Sequence, residues 1–229
     1  MLFIIYMGTP YYDHEPAYAR LRRIGGKAWD DLTGQSHMYK VVHEFLNSRY
    51  VPEGRDAIDF GCGGGQVSFI LDDFGFRVTG IDYSNTAIDI AKENARENGK
   101  TIDFRKGDVL DLEFITNAAY DLVIDHNVSH CILPEDRGRY FREVERILKI
   151  GGIYFASMMA ADPFSKGSEN TAYDVKTRIG NQGRRYYTTE EEFISELIAH
   201  NLTPRMIRTD FDGNDGVVSL TTVAKKSIS

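Results

Sequence analysis

Short apolar runs separated by polar turns dominate the chain from residue 55 onward. Residues 120–125 contain an unbroken Leu-Val-Ile centre, which is typical of a strand in a parallel sheet that helices cover on both faces. Residues 140–148 carry apolar side chains at helical spacing. The pattern predicts strands over 76–82, 101–106, 120–125, 203–211 and 216–225, and helices over 36–50, 140–148 and 189–200. It also predicts a strand that ends at Phe60, a helix whose apolar face begins at Val67, and a helix that opens at Ser84.

The transition from the first predicted strand to the next helix is unusually rich in glycine. Asp59 precedes Gly61, Gly63 and Gly65 at alternate positions, with Cys62 and Gly64 between them. Glycine lets the backbone approach a ligand that a Cβ atom would exclude, and a helix start offers unpaired N–H groups. The stretch therefore predicts a nucleotide-binding turn, with the carboxylate serving the turn's own N–H groups or a cationic ligand.

The spacing of these glycines does not fit a dinucleotide site. The pattern G-x-G-x-x-G would require a third glycine where Gln66 or Ser68 stands, depending on the frame. An acid two residues before the turn would also repel a pyrophosphate. A nicotinamide-dependent oxidoreductase is therefore a weaker hypothesis.

The run Asp-x-Gly-x-Gly-x-Gly resembles the first motif of class I S-adenosylmethionine-dependent methyltransferases. The resemblance covers about residues 55–160 and implies an α/β fold: a doubly wound, mostly parallel seven-stranded sheet with one antiparallel edge strand. It implies S-adenosyl-L-methionine as cofactor. Asp59, Gly61, Cys62, Gly63 and Gly65 would lie against its methionine and ribose.

Further candidate cofactor contacts follow the second and third strands. Asp82 lies about twenty residues beyond the glycine turn, the distance expected for a carboxylate that accepts both ribose hydroxyls. Gly80, Asp82 and Ser84 match the family's second motif, and Tyr83 lies between the last two. The resemblance assigns adenine contacts to Asp108 and to the backbone of Val109.

The segment after the fourth strand would face the transferable methyl group. Asp125 ends the strand and is predicted to contact the cofactor, while His126 and His130 are candidate bases because histidine titrates near neutral pH. The two histidines would share one face if the segment is helical. Asn-Pro-Pro-aromatic, typical of enzymes that methylate amide and exocyclic amino groups of proteins and nucleic acids, is missing here. Residues 131–140 are instead loosely similar to thiopurine and halide/thiol methyltransferases.

Two regions outside the motifs are expected to cover the site. Residues 1–50 form an aromatic N-terminal lid segment ahead of a methyltransferase domain over 51–229, and 160–187 form an insertion on the ligand side. Trp29, Arg185 and Tyr187 are the candidate substrate contacts in these regions. Packing of the aromatic residues against the sheet, and a solvated arginine, are the alternatives.

Composition limits the partners. The chain of 229 residues has a net charge of −7, which argues against nucleic acid and against anionic membranes. Its two cysteines stand in different motifs, so a reducing, cytoplasmic location is expected, and no metal is predicted. The opening apolar residues are too few for a signal peptide.

A small-molecule methyltransferase is therefore the leading hypothesis, with the acceptor atom undetermined. A nucleic-acid or protein methyltransferase and a non-catalytic module that binds S-adenosylmethionine are the alternatives.

Overall fold

The structure is a computed structural model that describes residues 14–33, 39–162, 172–180, 185–211 and 217–228. Strands and helices alternate through the middle of the chain, as the apolar pattern predicted. The helices are α1 (Glu15–Arg23), α2 (Asp30–Thr33), α3 (Lys40–Leu46), α4 (Gln66–Asp73), α5 (Asn85–Glu97), α6 (Arg137–Ile147) and α7 (Glu190–Ala199); the strands are β1 (Asp56–Phe60), β2 (Arg77–Asp82), β3 (Asp103–Lys106), β4 (Tyr120–His126), β5 (Leu148–Ala161), β6 (Leu202–Phe211) and β7 (Val217–Lys226).

These strands form one seven-stranded sheet in the order β3-β2-β1-β4-β5-β7-β6. The first five strands are parallel, and β7 runs antiparallel to both β5 and β6. The prediction of a mostly parallel seven-stranded sheet with antiparallel pairing at one edge is confirmed. The reversed strand is β7, which lies one position in from the edge.

The strand order reverses between β1 and β4. From β1 the chain moves outward through β2 to β3, then crosses back to β4 on the other side of β1. Ligands in such sheets bind outside the carboxyl ends of the strands at this switch point. The ends of β3, β2, β1 and β4 therefore form one continuous row.

Both faces of the sheet are buried, which explains the unbroken apolar runs. Alternate residues of β1 point to opposite faces: Ile58 and Phe60 pack with α6 and α7, while Ala57 packs with α3 and α4. The parallel strands therefore need apolar residues at nearly every central position.

The N-terminal segment divides into two parts. Helix α3 belongs to the core, because Val42, Phe45 and Leu46 pack against the sheet, and it ends four residues earlier than predicted. Helix α1 instead lies beside α5 through Tyr18 and Leu21. Residues 1–13, with their tyrosines, lie outside the described part, and a lid function for this segment stays a prediction.

The region predicted as a long insertion contains more strand than expected. Strand β5 continues to Ala161 because its last residues pair with β7. Tyr173 and Tyr187 stack beside Ala161 with ring centroids 4.8 Å apart. Helix α7 begins one residue later than predicted, with Thr189 rather than Thr188 as its N-cap, accepting from the Glu192 N–H.

In the described part of the chain, no helix is long and apolar enough to cross a membrane.

Candidate functional site

The glycine turn between β1 and α4 adopts backbone conformations that other residues avoid. Gly61, Gly63 and Gly65 have φ values of 62°, 53° and 94°. A Cβ atom on Gly61 would lie 2.4 Å from Val128, and one on Gly63 would lie 2.7 Å from the Tyr18 hydroxyl. The turn therefore requires glycine both for its shape and for the close approach of neighbouring groups.

Cys62 lies inside this turn but is not a reactive thiol. Its backbone N–H donates to the Ile81 carbonyl at 2.9 Å, which ties the turn to β2. The side chain is buried, and burial raises the pKa of the thiol well above its usual value. Cys62 is therefore a packing residue of the turn.

Asp59, the acid that precedes the turn, serves helix α4. Its carboxylate is buried and accepts from the Ser68 hydroxyl at 2.6 Å and from the Ser68 backbone N–H. Burial raises the pKa of Asp59 to about 7, while the Ser68 hydrogen bonds oppose the shift. The sequence predicts two roles for Asp59, a bond to the turn's own N–H groups or to a cationic ligand. In the structure its donor is Ser68, in the first turn of α4, and a role toward the ligand stays a prediction.

Asp82 connects the end of β2 to the glycine turn. Gly63 N–H donates to Oδ2 at 2.9 Å and Ser84 N–H donates to Oδ1 at 2.8 Å. Burial raises the pKa of Asp82 to about 6, so the carboxylate is ionised above neutral pH. Both oxygens keep acceptor capacity, because each carboxylate oxygen can accept more than one hydrogen bond.

The residues next to Asp82 extend the row toward β3. The Tyr83 ring is 60% exposed, with the Lys106 ammonium 5.8 Å from its centroid. Asp108 accepts from the Leu110 N–H at 2.9 Å, and Val109 packs against the core. Gly107 N–H donates to the Asp82 carbonyl at 3.0 Å, so the predicted adenine contacts lie next to the predicted ribose contact.

Asp125 lies inside a closed set of hydrogen bonds. It is fully buried and accepts from the backbone N–H groups of Val128 (2.8 Å) and Ser129 (3.2 Å). The hydroxyls of Tyr140 and Tyr154 donate to its Oδ2 at 2.7 and 2.8 Å. Asp125 therefore anchors the loop that follows β4, and a cofactor contact by this residue stays a prediction.

A second buried charge fixes the same loop from the other side. Arg137 donates to the Ser129 carbonyl at 2.8 Å and forms a two-bond ion pair with Glu196 of α7. Tyr186 N–H donates to the His130 carbonyl at 2.7 Å. The loop after β4 is therefore held through both its N–H and its C=O groups.

The two candidate bases occupy different environments. His126 ends β4, is half-buried, and its ring centroid lies 5.6 Å from that of Tyr39. His130 is buried, and its Nδ1 accepts from the Met159 N–H at 3.4 Å. Burial, followed by the nearby charge of Arg185, lowers the pKa of His130 well below its usual value.

The two histidines do not share a helical face, because the segment that joins them is not an α-helix. Asn127 has a φ of 68°, and the backbone then forms a short 3-10 helix over Ser129–Cys131. The break follows from the bonds of Asp125 to Val128 and Ser129, which a local spacing argument does not include.

The predicted substrate contacts fall into three situations. Trp29 packs on Tyr18, with ring centroids 5.3 Å apart, and so lies near the glycine turn. Arg185, which precedes α7 in the chain, lies beside Cys131, a residue of the loop after β4. Tyr187 is buried and stacks on Tyr173, and its substrate contact stays a prediction.

Sequence reasoning missed Tyr18 and Glu15. Tyr18 is buried over the glycine turn, while the Glu15 carboxylate accepts from the Ser84 hydroxyl at 2.6 Å and from Thr86. Helical spacing around Tyr18 could have identified α1, but not its docking site some seventy residues away.

Among the described residues, no three side chains of His, Cys, Asp or Glu lie together as a metal site.

Comparison with known proteins agrees with this geometry. A family model described as a methyltransferase domain matches residues 58–156. The chain is similar to a ribosomal protein L11 methyltransferase of Dictyoglomus turgidum (34% identity over 123 residues, 53% of this chain and 38% of the relative). It is also similar to a ubiquinone biosynthesis O-methyltransferase of Xanthomonas axonopodis pv. citri (24% identity over 177 residues, 76% and 73% coverage).

Solved structures share the fold. A geranyl diphosphate C-methyltransferase of Streptomyces coelicolor A3(2) superposes with a TM-score of 0.67 and 17% identity, covering 96% of this chain and 86% of that protein. The alignments with the L11 methyltransferases of two Dictyoglomus species span only 38% of those relatives' length.

Proposed function

We propose that this protein transfers a methyl group from S-adenosylmethionine to a small-molecule acceptor, since residues 58–156 match a family model described as a methyltransferase domain. One observation carries the proposal. Asp108, Asp82, the glycine turn and His126 follow the carboxyl ends of β3, β2, β1 and β4, which are neighbours in the sheet. An elongated ligand along this edge would meet each of them.

The residues fit the cofactor. The cofactor's ribose needs a carboxylate acceptor, and Asp82 is ionised above neutral pH and already oriented by two N–H groups. The glycine turn provides backbone at a distance that side chains would block. Asp108 and Val109 would hold the adenine, and Asp59 would lie behind the glycine turn, where a bound cation would favour its ionised form.

When bound, S-adenosylmethionine supplies a methyl group activated by a sulfonium leaving group. The protein's own contribution is to align the acceptor and to remove its proton where the acceptor requires it. The rigid loop after β4 supports alignment, since Asp125 and Arg137 fix it from both sides.

His126 is the better placed of the two candidate bases. It is half-buried beside Tyr39 at the end of β4, where ligands reach such sheets. His130 is buried, and its Nδ1 accepts a backbone N–H, so this nitrogen is engaged. We assign proton removal to His126, and to His130 the positioning of β5 against the loop.

A protein methyltransferase is the second candidate, favoured by the likeness to the ribosomal protein L11 methyltransferases. That likeness covers 123 residues. It therefore supports a common cofactor-binding half more than a common acceptor.

Two measurements test the proposal. Isothermal titration with S-adenosylmethionine should give saturable binding at one site. A labelled-methyl transfer screen over metabolite pools and over protein extracts should place the label in a small molecule, whose mass then identifies the modified atom. Label only in protein would favour the second candidate, and binding without turnover in either pool would make the chain a cofactor-binding module.

A further inference from the structure

Arg185 is held at the acceptor end of the proposed site by bonds on both sides of its backbone. Its carbonyl accepts from the Gly180 N–H at 2.8 Å, and the adjacent Tyr186 N–H donates to the His130 carbonyl at 2.7 Å. Its half-buried guanidinium acts on the Cys131 thiol by a hydrogen bond and by charge. The side chain is thus anchored beside the loop that follows His126.

Among the residues that the structure describes, Arg137 and Arg178 are paired with carboxylates, whereas Arg185 is not. Arg137 binds Glu196, and Arg178 binds Glu192 at 2.6 Å. Within the described ranges, no carboxylate lies within 4.0 Å of the Arg185 guanidinium. The chain has 34 acidic and 27 basic residues, so acids outnumber bases. A shortage of carboxylates therefore does not explain why the half-buried Arg185 has no acidic partner among the described residues.

The other groups around Arg185 do not neutralise it. Cys131 stays a neutral thiol, because burial raises its pKa to about 11. His130 is neutral, and the Asp125 carboxylate is already enclosed by four donors. Arg137 cannot serve in its place, because it is only 3% exposed and its nitrogens bond to Glu196 and Ser129.

We propose that Arg185 binds an anionic group of the methyl acceptor, a carboxylate or a phosphate. The guanidinium is planar and can present two parallel N–H donors to either group. It would hold the acceptor by its charged end while His126, which precedes the loop that Arg185 contacts, faces the atom to be methylated. This inference rests on the proposed function, because only a methyltransferase has a methyl acceptor. The anion site itself can be tested without methyl transfer.

The test uses three small probes of similar size: benzoate, phenyl phosphate and the uncharged benzyl alcohol. Each is titrated by isothermal calorimetry into the full chain, with and without saturating S-adenosylhomocysteine. Arg185→Gln removes the charge, and Arg185→Lys keeps it without the fork. Arg205→Gln, an exposed residue on β6 two strands beyond β5, is the control for net charge. Thermal unfolding checks that each variant folds.

Wild type should bind one anionic probe about tenfold or more tightly than benzyl alcohol, as expected for a charge-assisted hydrogen bond. Arg185→Gln should lose this preference, Arg185→Lys should keep part of it, and Arg205→Gln should keep it fully. The tighter anion then distinguishes a carboxylate acceptor from a phosphate acceptor.

Equal binding of charged and uncharged probes by wild type, no binding of any probe, or an unchanged preference in Arg185→Gln would overturn the inference. The two failures are separable. Loss of S-adenosylhomocysteine binding with an intact anion preference refutes the proposed function alone, whereas cofactor binding without anion preference refutes the Arg185 site alone.

Discussion

Replacement of Asp82 by asparagine separates cofactor binding from fold stability. Asparagine keeps the shape but turns one oxygen into an NH₂ group that would face the N–H of Gly63 or Ser84. One buried donor is then unpaired, which costs about 1–3 kcal/mol of stability. The pKa of this carboxylate is raised from 3.8 to about 6, so its ionised form destabilises the folded state. Its removal therefore raises the free energy of unfolding by up to about 3 kcal/mol at pH 7.5.

The two effects on stability oppose each other, so the free energy of unfolding should change by about 2 kcal/mol or less. Cofactor affinity has no such compensation. The charged acceptor of the ribose hydroxyls is lost, and hydrogen bonds to charged groups are worth about 1.5–3 kcal/mol. The dissociation constant for S-adenosylmethionine should therefore rise by about 10- to 100-fold.

Isothermal titration at pH 7.5 measures this affinity, and urea denaturation measures stability. Emission of Trp29, the only tryptophan of the chain, offers a second binding signal because its ring packs on Tyr18 at the glycine turn. Asp103→Asn is the matched control, since Asp103 is an exposed acid at the opposite, amino end of β3. The expected rise in the dissociation constant is about 10- to 100-fold. A dissociation constant of Asp82→Asn within about threefold of the wild-type value would therefore refute the ribose assignment.

The remaining predictions test the turn, the buried acids and the loop anchor. Gly63→Ala should lose cofactor binding and about 1–2 kcal/mol of stability, because φ is 53° and the new Cβ would meet Tyr18. Gly75→Ala is the control, with φ of 84° but open space around it: it should lose similar stability in urea and keep cofactor binding. Equal losses of cofactor binding in both variants would contradict the role of the glycine turn in binding. For Asp59 the folded pKa of about 7 exceeds the unfolded value, so the folded state holds a proton that the unfolded state has lost, and stability falls as pH rises from about 4 through 7. Asp59→Asn should therefore gain stability relative to wild type between pH 5 and pH 8, by up to about 4 kcal/mol, and a pH-independent difference in urea midpoints would count against the shift. Tyr140→Phe removes one donor from buried Asp125 and should cost about 1–3 kcal/mol while lowering kcat more than it changes KM for the cofactor; a change in KM alone would argue against a role in the loop.

The cofactor half of the site was predictable because its information is local. The alternating glycines and the distance to Asp82 are short-range features, and each places its residue at a strand end. The sheet follows from the continuous apolar runs. The structure adds that Asp82 also bonds to the turn, which links two motifs nineteen residues apart.

The acceptor half was less predictable because long-range contacts decide it. Nothing in the local sequence indicates that Tyr140 and Tyr154, fifteen and twenty-nine residues away, donate to Asp125. Those bonds set the loop geometry that separates His126 from His130. The ring stack of Tyr187 on Tyr173 is likewise a contact that the sequence did not predict.

A crystal structure of the chain grown with S-adenosylmethionine tests the central claim most directly. We predict density for the adenosyl group along the carboxyl ends of β3, β2 and β1, with both ribose hydroxyls within hydrogen-bond distance of Asp82 and the methyl group directed at the end of β4. Cofactor density elsewhere on the chain, or a ribose turned away from Asp82, would contradict the account.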